Sequence, residues 1–585
     1  GRGGGGGGGA APPRGGRGRR GKLPTPLLAH GQPMVWLHGG ALAICLAMIA
    51  GLLLLILVQG LLTFWPGPAL QIETVSGRRY IGEVVRQEEY RPDPSVLAAL
   101  PLPARDRAET LLAEHGGWMR RRLLRTANFD LTQTHHHWVS DFEVLREDLP
   151  EWALIIERST NDGRFNGFPV AFRIDGQVVA REPAEIWAQY LEHRGSVQEQ
   201  VREIERIKKY EIGALSRAEE DARLELREAE LTHGRGSAVY EAAERRLREV
   251  TAWAAAEHQR WRDEIAQLTR QARRYELVLA TVDGKSKVLP LADIVRAYPA
   301  NRLSWWQKWG VYLSRWWEFL TCEPRNSNSE GGVFPAIWGT AVMTIVMSLA
   351  VVPFGVLAAL FLREYARPGP TVSAVRIAVN NLAGVPSIVF GVFGLGFFCY
   401  VIGVRIDQLF FPARLPNPTF GTGGLLWASL TLALLTAPVV IVATEEALAA
   451  VPRSLREGSY ACGASKWQTI RRIVLPRAMP GIMTGAILAM ARGAGEVAPL
   501  MLVGAVKLAP SLPVDGVFPF IHPQRSFMHL GFHIYDVGFQ SPDSESAKPM
   551  VFTTTLLLIV LIATLNLAAM WLRGRLRRRF AGGQF

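Results

Sequence analysis

The chain has 585 residues and carries 65 Lys or Arg against 52 Asp or Glu, a formal net charge of +13. That length exceeds what one hydrophobic core usually organises, so more than one structural unit is expected. A basic balance can indicate a nucleic-acid partner, but here the Arg residues gather at the ends of apolar blocks and in the N-terminal segment, which membrane topology explains better. Cys45, Cys322, Cys399 and Cys462 show neither pairing nor metal-ligand spacing, so we expect no disulfide framework.

The N-terminal segment is predicted to be a disordered, basic cytoplasmic tail over residues 1–34, because its Gly-rich start, GRGGGGGGGAAPPRGGRGRRGK, cannot bury a core. The apolar block that follows, residues 35–65, is predicted to be the first transmembrane helix. A cleaved secretion signal is the alternative. However, the apolar run is longer than a signal core, and no small-x-small cleavage site precedes Trp65.

Six stretches have the roughly 20 apolar residues that a bilayer-crossing helix needs. They run approximately over residues 39–64, 336–362, 377–403, 424–444, 481–506 and 551–572. Every second loop between them is rich in Lys and Arg, which predicts that both termini lie in the cytoplasm. Residues 66–330 then lie on the outer side, which is the periplasm if the membrane is a bacterial inner membrane.

Residues 66–330 are predicted to form a soluble insertion of α+β character. Alternating or β-branched residues predict strands at 71–75, 151–158 and 170–174. Two further apolar runs, 277–282 and 285–289, flank Asp283-Gly284 and predict a hairpin with a two-residue turn.

A helical hairpin is predicted within the insertion, over about residues 184–274. Apolar residues at near-heptad spacing occupy two stretches on either side of the break HGRGS at 233–237. Two long helices folded back on each other would bury both stripes as an antiparallel coiled coil. The hairpin is interpreted either as a structural stalk or as a docking arm for a substrate-binding protein or another envelope partner.

A run of three histidines, His135, His136 and His137, precedes a predicted strand. Such a run can bind a metal ion, but no Cys or carboxylate lies nearby at ligand spacing. We therefore predict a surface loop and no metal site.

The segment between the fourth and fifth spans, residues 445–480, is too polar to lie in lipid, and we call it the elbow. Its two halves are predicted to be helical: Pro452 begins one helix and Gly463 ends it, while Ser465 caps the next helix and Pro476 stops it. Because a membrane span follows directly, movement of the elbow would move that span.

The elbow resembles the EAA motif of ABC importer permeases, in which an acidic-small-small start is followed at fixed spacing by Gly and by Ile-x-Leu-Pro. Gly458 and Ser459 stand where that motif has two alanines. The resemblance implies that the elbow docks into a groove on an ATP-hydrolysing subunit and couples its closure to the pore; an ordinary amphipathic connector is the alternative. The coupling residues implied are Glu457, Gly458, Ser459, Gly463, Ala464, Ile473, Leu475 and Pro476.

Three further stretches resemble the PstA-type permeases of phosphate importers. They are GGVFPAIWGTAVMT entering span two, NNLAGVPSIVFGVFGLGFF in span three and ARGAGEVAPLM in span five. The resemblance implies a mainly α membrane protein with the ABC importer type I permease fold. Residues 331–575 would hold five of the six spans, followed by a basic cytoplasmic tail at 576–585. The resemblance covers the first transmembrane helix and about residues 330–585, and it does not extend to the insertion.

By this resemblance, the chain is expected to be a transport subunit for inorganic phosphate and not an enzyme. It has no phosphate-cradling G-x-x-x-x-G-K-[ST] loop, so ATP and Mg²⁺ are expected on a partner. The implied partners are a second, PstC-type permease, a PstB-type ATPase dimer and a periplasmic phosphate-binding protein, besides membrane lipid; nucleic acid is not among them. The alternatives are a permease for another oxyanion such as molybdate or sulfate, the sister phosphate permease, and an envelope sensor or scaffold.

Arg492 and Glu496 are two charged residues in the predicted fifth span, four positions apart and hence on one helix face. Charge inside a membrane is costly unless it faces a polar path or a partner. A guanidinium can hold phosphate oxygens bidentately, and a neighbouring acid can keep it oriented and limit overly tight capture. We therefore predict that this pair lies on the substrate path; the alternative is a salt bridge between packed helices.

Overall fold

The computed structural model describes residues 32–98, 100, 102–159, 163–325, 328–541 and 544–581. The chain divides into two compact units, one ending at Val58 and the other comprising Gln59–Phe585. The predicted N-terminal tail up to residue 31 and the last four residues of the predicted C-terminal tail lie outside the described residues. Helix α1 (Gln32–Leu62) is apolar and exposes its large side chains along its length, as a helix in contact with lipid does.

The insertion begins with a five-stranded sheet in which all neighbouring strands are antiparallel. Its order is β4-β3-β2-β1-β5, with β1 (Leu70–Thr74), β2 (Arg79–Tyr90), β3 (Met119–Arg125), β4 (His136–Ser140) and β5 (Val144–Asp148). Helices α2 (Pro94–Ala98) and α3 (Leu102–Glu114) connect β2 to β3, and the short α4 (Phe129–Thr132) connects β3 to β4.

A second antiparallel sheet completes the insertion, in the order β10-β9-β7-β6-β11 with β8 paired to β7. Its strands are β6 (Leu154–Arg158), β7 (Arg164–Ile174), β8 (Gln177–Ala180), β9 (Tyr275–Ala280), β10 (Ser286–Pro290) and β11 (Ile294–Pro299). The predicted strands overlap β1, β6 and β7, and the predicted hairpin is β9–β10. The two-residue turn is wrong: Thr281 N donates to Lys285 O at 2.8 Å, and Gly284 takes a left-handed φ of 80°, so three residues close the loop.

Three helices form the hairpin within the insertion: α5 (Pro183–Arg206), α6 (Gly213–His233) and α7 (Ala238–Ala272). A π-helical turn, Ile207–Ile212, joins α5 to α6, and α6 packs against α7. Leu215, Ala222 and Ala229 recur every seven residues on α6 and are buried. Ser237 caps α7 by accepting a hydrogen bond from Tyr240 N at 3.1 Å. Supercoiled packing over this length remains a prediction.

The C-terminal half is helical after α8 (Trp305–Thr321) and the short strands β12 (Pro324–Arg325) and β13 (Glu330–Gly331). Its helices are α9 (Phe334–Leu360), α10 (Pro370–Leu382), α11 (Ser387–Phe393), α12 (Val404–Phe410), α13 (Leu425–Ala449), α14 (Arg453–Ala461), α15 (Lys466–Thr469), α16 (Leu475–Gly495), α17 (Ala498–Val503), α18 (Leu530–Phe539) and α19 (Ser544–Ala581). Helix α19 continues six residues into the predicted basic tail at 576–585.

Six helical segments in the described residues are long and apolar enough to cross a membrane, which confirms the predicted number. They are Met34–Leu62, Phe334–Tyr365, Ser387–Phe410, Leu425–Ala449, Lys466–Gly495 and Glu545–Arg575. Two boundaries were predicted wrongly. The third span starts at Ser387 because Pro386 separates it from α10, and the residue before a proline avoids the helical region. The fifth span, predicted over residues 481–506, begins inside the elbow at Lys466 and ends at Gly495.

Helix α13 lies at the centre of the C-terminal half and packs against both α9 and α16. Small residues allow this close approach. A Cβ added at Gly485 of α16 would lie 2.6 Å from the Cβ of Ala443, so no larger residue fits there without a shift of the helices. Membrane helices commonly pack through small residues in this way, because close contact between backbones replaces the hydrophobic driving force that is missing in lipid.

A buried carboxylate joins the second sheet of the insertion to α8. Glu157 of β6 pairs with Arg315 of α8 at 2.6 Å and with Arg296 of β11. Arg315 Nη1 also donates to the carbonyl oxygen of Phe64, just beyond α1, at 3.1 Å. Burial by itself would raise the pKa of Glu157, but the surrounding guanidinium groups outweigh it and hold this pKa well below its ordinary value.

Glu157→Gln is expected to lower the free energy of unfolding by about 3–5 kcal/mol, because it leaves the buried guanidinium of Arg315 without its paired carboxylate. The loss should appear as a lower Tm of the full chain in detergent. Glu228→Gln, at an exposed position of α6, is the matched control. Since folding depresses the pKa of Glu157, its contribution is complete above the unfolded-state pKa, near 4.5, and is lost as pH falls below it. Equal Tm values for both variants at pH 7 would contradict this assignment.

Candidate functional site

The elbow folds as two short helices that meet at Gly463. Helix α14 follows Pro452 directly, and Gly463 then adopts a left-handed φ of 79°, the usual conformation just after a helix end. Ser465 caps α15 by accepting a hydrogen bond from Gln468 N at 3.2 Å, while the Gln468 side chain accepts one from Ser465 N at 2.9 Å. The predicted helix limits at these three positions are confirmed.

The prediction that Pro476 stops the second helix of the elbow is wrong. The chain passes from α15 through a π-helical turn, Ile470–Val474, directly into α16. A proline is tolerated in the first turn of a helix, where its missing N–H removes no hydrogen bond, and the π-turn places Pro476 in that position. The second half of the elbow and the fifth span therefore form one continuous helical rod from Lys466 to Gly495.

Polar and apolar contacts fix the elbow to the neighbouring spans. Arg456 of α14 pairs with Glu364, in the turn that ends the second span, at 2.9 Å. Its guanidinium also donates to the carbonyl oxygens of Val451 at 2.7 Å and Leu448 at 2.9 Å. A buried apolar cluster covers the base of the elbow and comprises Ala359, Leu360, Leu448, Val451, Ile470, Val474, Ala478 and Ile482. Sequence reasoning missed the pair with Glu364, because its partners are 92 residues apart.

The predicted coupling residues divide into an exposed group and a packed group. Glu457, Gly458 and Gly463 are exposed, whereas the others are half-buried: Ser459, Ala464, Ile473, Leu475 and Pro476. The hydroxyls of Ser459 and Thr469 lie 2.9 Å apart and hold the two elbow helices together. Sequence reasoning did not single out Tyr460, which is 43% exposed and adds an aromatic ring to the elbow surface beside the 57% exposed Trp467. Exposed aromatic rings of this kind are frequent anchors in protein interfaces.

The insertion and the elbow lie at opposite ends of the second span. That span begins at Phe334, immediately after the insertion, and ends at Tyr365, next to the Glu364–Arg456 pair. At 1.5 Å per residue the helix is about 48 Å long, which exceeds the roughly 30 Å hydrocarbon core of a bilayer. A membrane around this span therefore separates the insertion from the elbow.

The charged pair predicted on the substrate path forms at the far end of the rod from the elbow. Arg492 Nε lies 3.6 Å from Glu496 Oε1, and the two side chains are 35% and 21% exposed. The prediction that both residues lie on one helix face is wrong. Helix α16 ends at Gly495, and Glu496 follows it in an extended conformation with ψ 135°. Gly493 and Gly495 weaken the helix here, since glycine is among the poorest helix formers.

Helices α16 and α9 pack closely at the residue next to Arg492. A Cβ at the adjacent Gly493 would lie 2.3 Å from Met347 Sδ of α9, so the two helices touch at this point. Within the described part of the chain, the Arg492 guanidinium has the ion pair with Glu496 and no hydrogen bond. A guanidinium carries five N–H donors in a fork that matches an oxyanion, and here they are available to one.

The prediction of a surface loop at the three histidines is wrong for two of them. His136 and His137 lie in β4, and the ring of His137 stacks on Tyr80 with centroids 4.2 Å apart. His135 precedes the strand and stacks on Phe129 at 4.4 Å. Within the described ranges, no group of three or more His, Cys, Asp or Glu side chains is arranged to hold a metal ion. The rings of His135 and His137 therefore serve in packing contacts.

Comparison with known proteins finds a matching family and several relatives. Residues 351–582, which contain the elbow and the charged pair, match the family described as binding-protein-dependent transport system inner membrane component. The chain is 35% identical over 269 residues to the phosphate transport system permease protein PstA 1 of Mycobacterium tuberculosis. The aligned region covers 46% of this chain and 79% of that protein.

Two further similarities were found. The probable ABC transporter permease protein YqgH of Bacillus subtilis is 36% identical over 203 residues, covering 34% of this chain and 62% of that protein, which is less than two thirds of its length. A solved structure, the inward-facing MetNI methionine ABC transporter, aligns at 23% identity with a TM-score of 0.31 and covers 41% of this chain and 94% of that one.

Proposed function

The chain belongs to the PstA-type family of ABC importer permeases, and from this premise we propose that it is the permease subunit through which an ATP-driven importer moves inorganic phosphate across the inner membrane. The observation that carries the proposal is the elbow, which is continuous with one span and fixed to the ends of two others. A coupling element needs this arrangement, because force applied at its surface must reach the pore. The phosphate-transport relative, at 35% identity, supports the choice of substrate.

The proposed topology places the elbow and both termini in the cytoplasm and the insertion, residues 66–330, in the periplasm. Two independent observations support it. Lys and Arg are concentrated in every second loop, as the positive-inside rule requires of cytoplasmic loops. In addition, the insertion and the elbow lie at opposite ends of a helix that is long enough to cross the bilayer.

In the proposed mechanism, ATP binding by two partner ATPase subunits moves the elbow, and the rod carries that motion across the membrane. Glu457 and Trp467 lie on the exposed surface that would dock into the ATPase. Because the helix is continuous from Lys466 to Gly495, a tilt of the elbow displaces Arg492 at the other end, roughly 39 Å away along the axis. The Arg456–Glu364 pair transmits the same motion to the second span.

Arg492 is proposed to lower the barrier for the passing anion. Its fork of N–H donors suits two phosphate oxygens, and the nearby Glu496 carboxylate opposes overly tight capture, which a conduit must avoid. The alternative role is a structural salt bridge. The 3.6 Å separation without a hydrogen bond, together with 35% exposure of the Arg492 side chain, favours a group that can exchange its partner.

The proposed assembly contains a second permease subunit of PstC type, a PstB-type ATPase dimer that binds ATP and Mg²⁺, and a periplasmic phosphate-binding protein. Membrane lipid surrounds the spans. The helical hairpin α5–α7 is proposed as a stalk or as a docking arm for the binding protein. No role for nucleic acid is proposed.

Substrate choice is tested by uptake of labelled phosphate into liposomes that contain the complete complex. We expect excess unlabelled phosphate to suppress the uptake of label, and equal concentrations of molybdate or sulfate to leave it largely unchanged. Stronger competition by either of those anions would identify a permease for another oxyanion. An envelope sensor or scaffold would give no uptake at all.

A further inference from the structure

Helix α8 is unlike the rest of the insertion in composition. Its sequence, WWQKWGVYLSRWWEFLT, contains five of the 17 tryptophans in the chain within 17 residues. Ser304 and Gln307 form a capping box at its start, so the helix begins at a defined point. It lies between the last strand of the second sheet, β11, and the second membrane span.

One face of α8 is bound to the protein. Arg315 is 5% exposed and Phe319 is fully buried. Arg315 reaches Glu157 of the sheet and the Phe64 carbonyl, so the helix is held by the buried charge cluster on one side and by the end of the first span on the other. This attachment fixes which face of α8 points away from the protein.

The opposite face of α8 is apolar and uncovered. Trp306, Leu313 and Trp317 are 77%, 58% and 72% exposed. Trp309 and Leu320, at 36% and 37%, are only partly exposed and belong to the same stripe, because spacings of three and four residues return to one side of a helix. A contiguous apolar surface of this kind marks an interaction site when it occurs on the outside of a folded domain.

The position of α8 identifies what covers this face. Phe64 and Trp65 follow the end of α1 at Leu62, and their rings contact Trp316 at 5.2 Å and Trp309 at 5.3 Å between centroids. The second span begins at Phe334, shortly after α8 ends at Thr321. Helix α8 is thus held by the residues that directly follow the first span and lies close to the start of the second.

We propose that α8 is an interfacial helix that lies along the outer surface of the bilayer with the stripe Trp306, Trp309, Leu313, Trp317 and Leu320 in the lipid headgroup and upper acyl region. Tryptophan prefers this depth because its ring is apolar while its N–H still reaches water or headgroups. The helix has few charged residues, and Arg315 and Glu318 are engaged in ion pairs, so apolar burial drives the contact and anionic lipid is not required.

The contact would fix the base of the insertion against the membrane. The second sheet is bound to α8 through Glu157 and Arg296, so a helix seated in the headgroup layer sets the height of that sheet above the bilayer. This role goes beyond transport, since it concerns a segment outside the residues 351–582 that match the permease family.

The test places a spin label on the stripe of the full chain in lipid nanodiscs. Leu313→Cys is made in a background in which Cys45, Cys322 and Cys462 are replaced by Ser, and Leu231→Cys, at a 49% exposed leucine of α6, is the matched control. Oxygen, which partitions into lipid, and a water-soluble nickel chelate report the surroundings of each label. We expect the oxygen-to-nickel accessibility ratio to be several-fold higher at 313 than at 231.

Two outcomes would overturn the proposal. A label at 313 as accessible to nickel as that at 231 would show that the stripe faces water. A label that is immobilised and inaccessible to both reagents would show that protein, from this chain or from a second copy of it, covers the stripe. Leu320→Cys, on the same stripe, provides an independent position should the first variant fail to fold, and the same criteria apply to it.

Discussion

Arg492→Ala is expected to abolish phosphate uptake by the reconstituted complex while leaving the complex assembled. The variant removes the guanidinium that we propose faces the passing anion, and with it two charge-assisted hydrogen bonds of about 1.5–3 kcal/mol each. Loss of both from the highest point of the barrier slows transport roughly 100-fold or more. The measurement is the initial rate of labelled phosphate uptake at saturating ATP and binding protein.

Two companion variants separate the proposed role from a structural one. Arg405→Ala removes an exposed arginine from α12, outside the elbow and away from the charged pair in sequence, and should leave uptake close to that of the wild type. Arg492→Lys keeps the charge but not the planar fork, and should give an intermediate rate. Normal uptake by Arg492→Ala would refute the transport role. Failure of that variant to assemble would point to a structural salt bridge with Glu496.

Gly463→Val is expected to uncouple ATP hydrolysis from phosphate uptake. Gly463 has φ 79°, and a β-branched residue disfavours this region strongly, with a cost of at least 1–2 kcal/mol as an order of magnitude. A Cβ at this position would meet no atom within 4 Å, so the effect comes from backbone conformation alone. The elbow would relax into another shape, and the number of phosphate ions imported per ATP hydrolysed should fall several-fold.

Gly463→Asn is the matched control, because asparagine adopts the left-handed conformation far more readily than valine. It should preserve most of the coupling although it, too, adds a side chain. If valine and asparagine lowered the coupling ratio equally, the turn geometry would not be the cause. If valine removed the ATPase subunits from the purified complex, its defect would lie in docking and not in transmission.

The features that were predicted correctly depend on local sequence. Apolar runs identified six spans, since length and hydropathy alone decide whether a helix can cross a bilayer. Gly463 and Ser465 marked the turn of the elbow, because left-handed turns and helix caps are set by one or two residues. The β9–β10 hairpin was visible for the same reason, although the turn type was not.

The features that were missed depend on contacts between distant residues or on hydrogen-bond register. The Arg456–Glu364 pair and the Glu157 cluster join parts of the chain that no sequence spacing relates. Pro476 signalled a helix end, but a π-turn placed it at the start of α16 instead. The apolar stripe of α8 did carry a local signal, the three-and-four spacing of Trp and Leu, which the assignment of residues 66–330 to a soluble insertion obscured.

The proposed transport function is tested most directly by ATP-dependent accumulation of labelled phosphate in liposomes that contain this chain, its permease and ATPase partners and the binding protein. We expect uptake that requires both ATP and the binding protein, and that disappears when the chain carries Arg492→Ala. An assembled complex that hydrolyses ATP in response to the loaded binding protein, yet accumulates no phosphate, would contradict the proposed transport function.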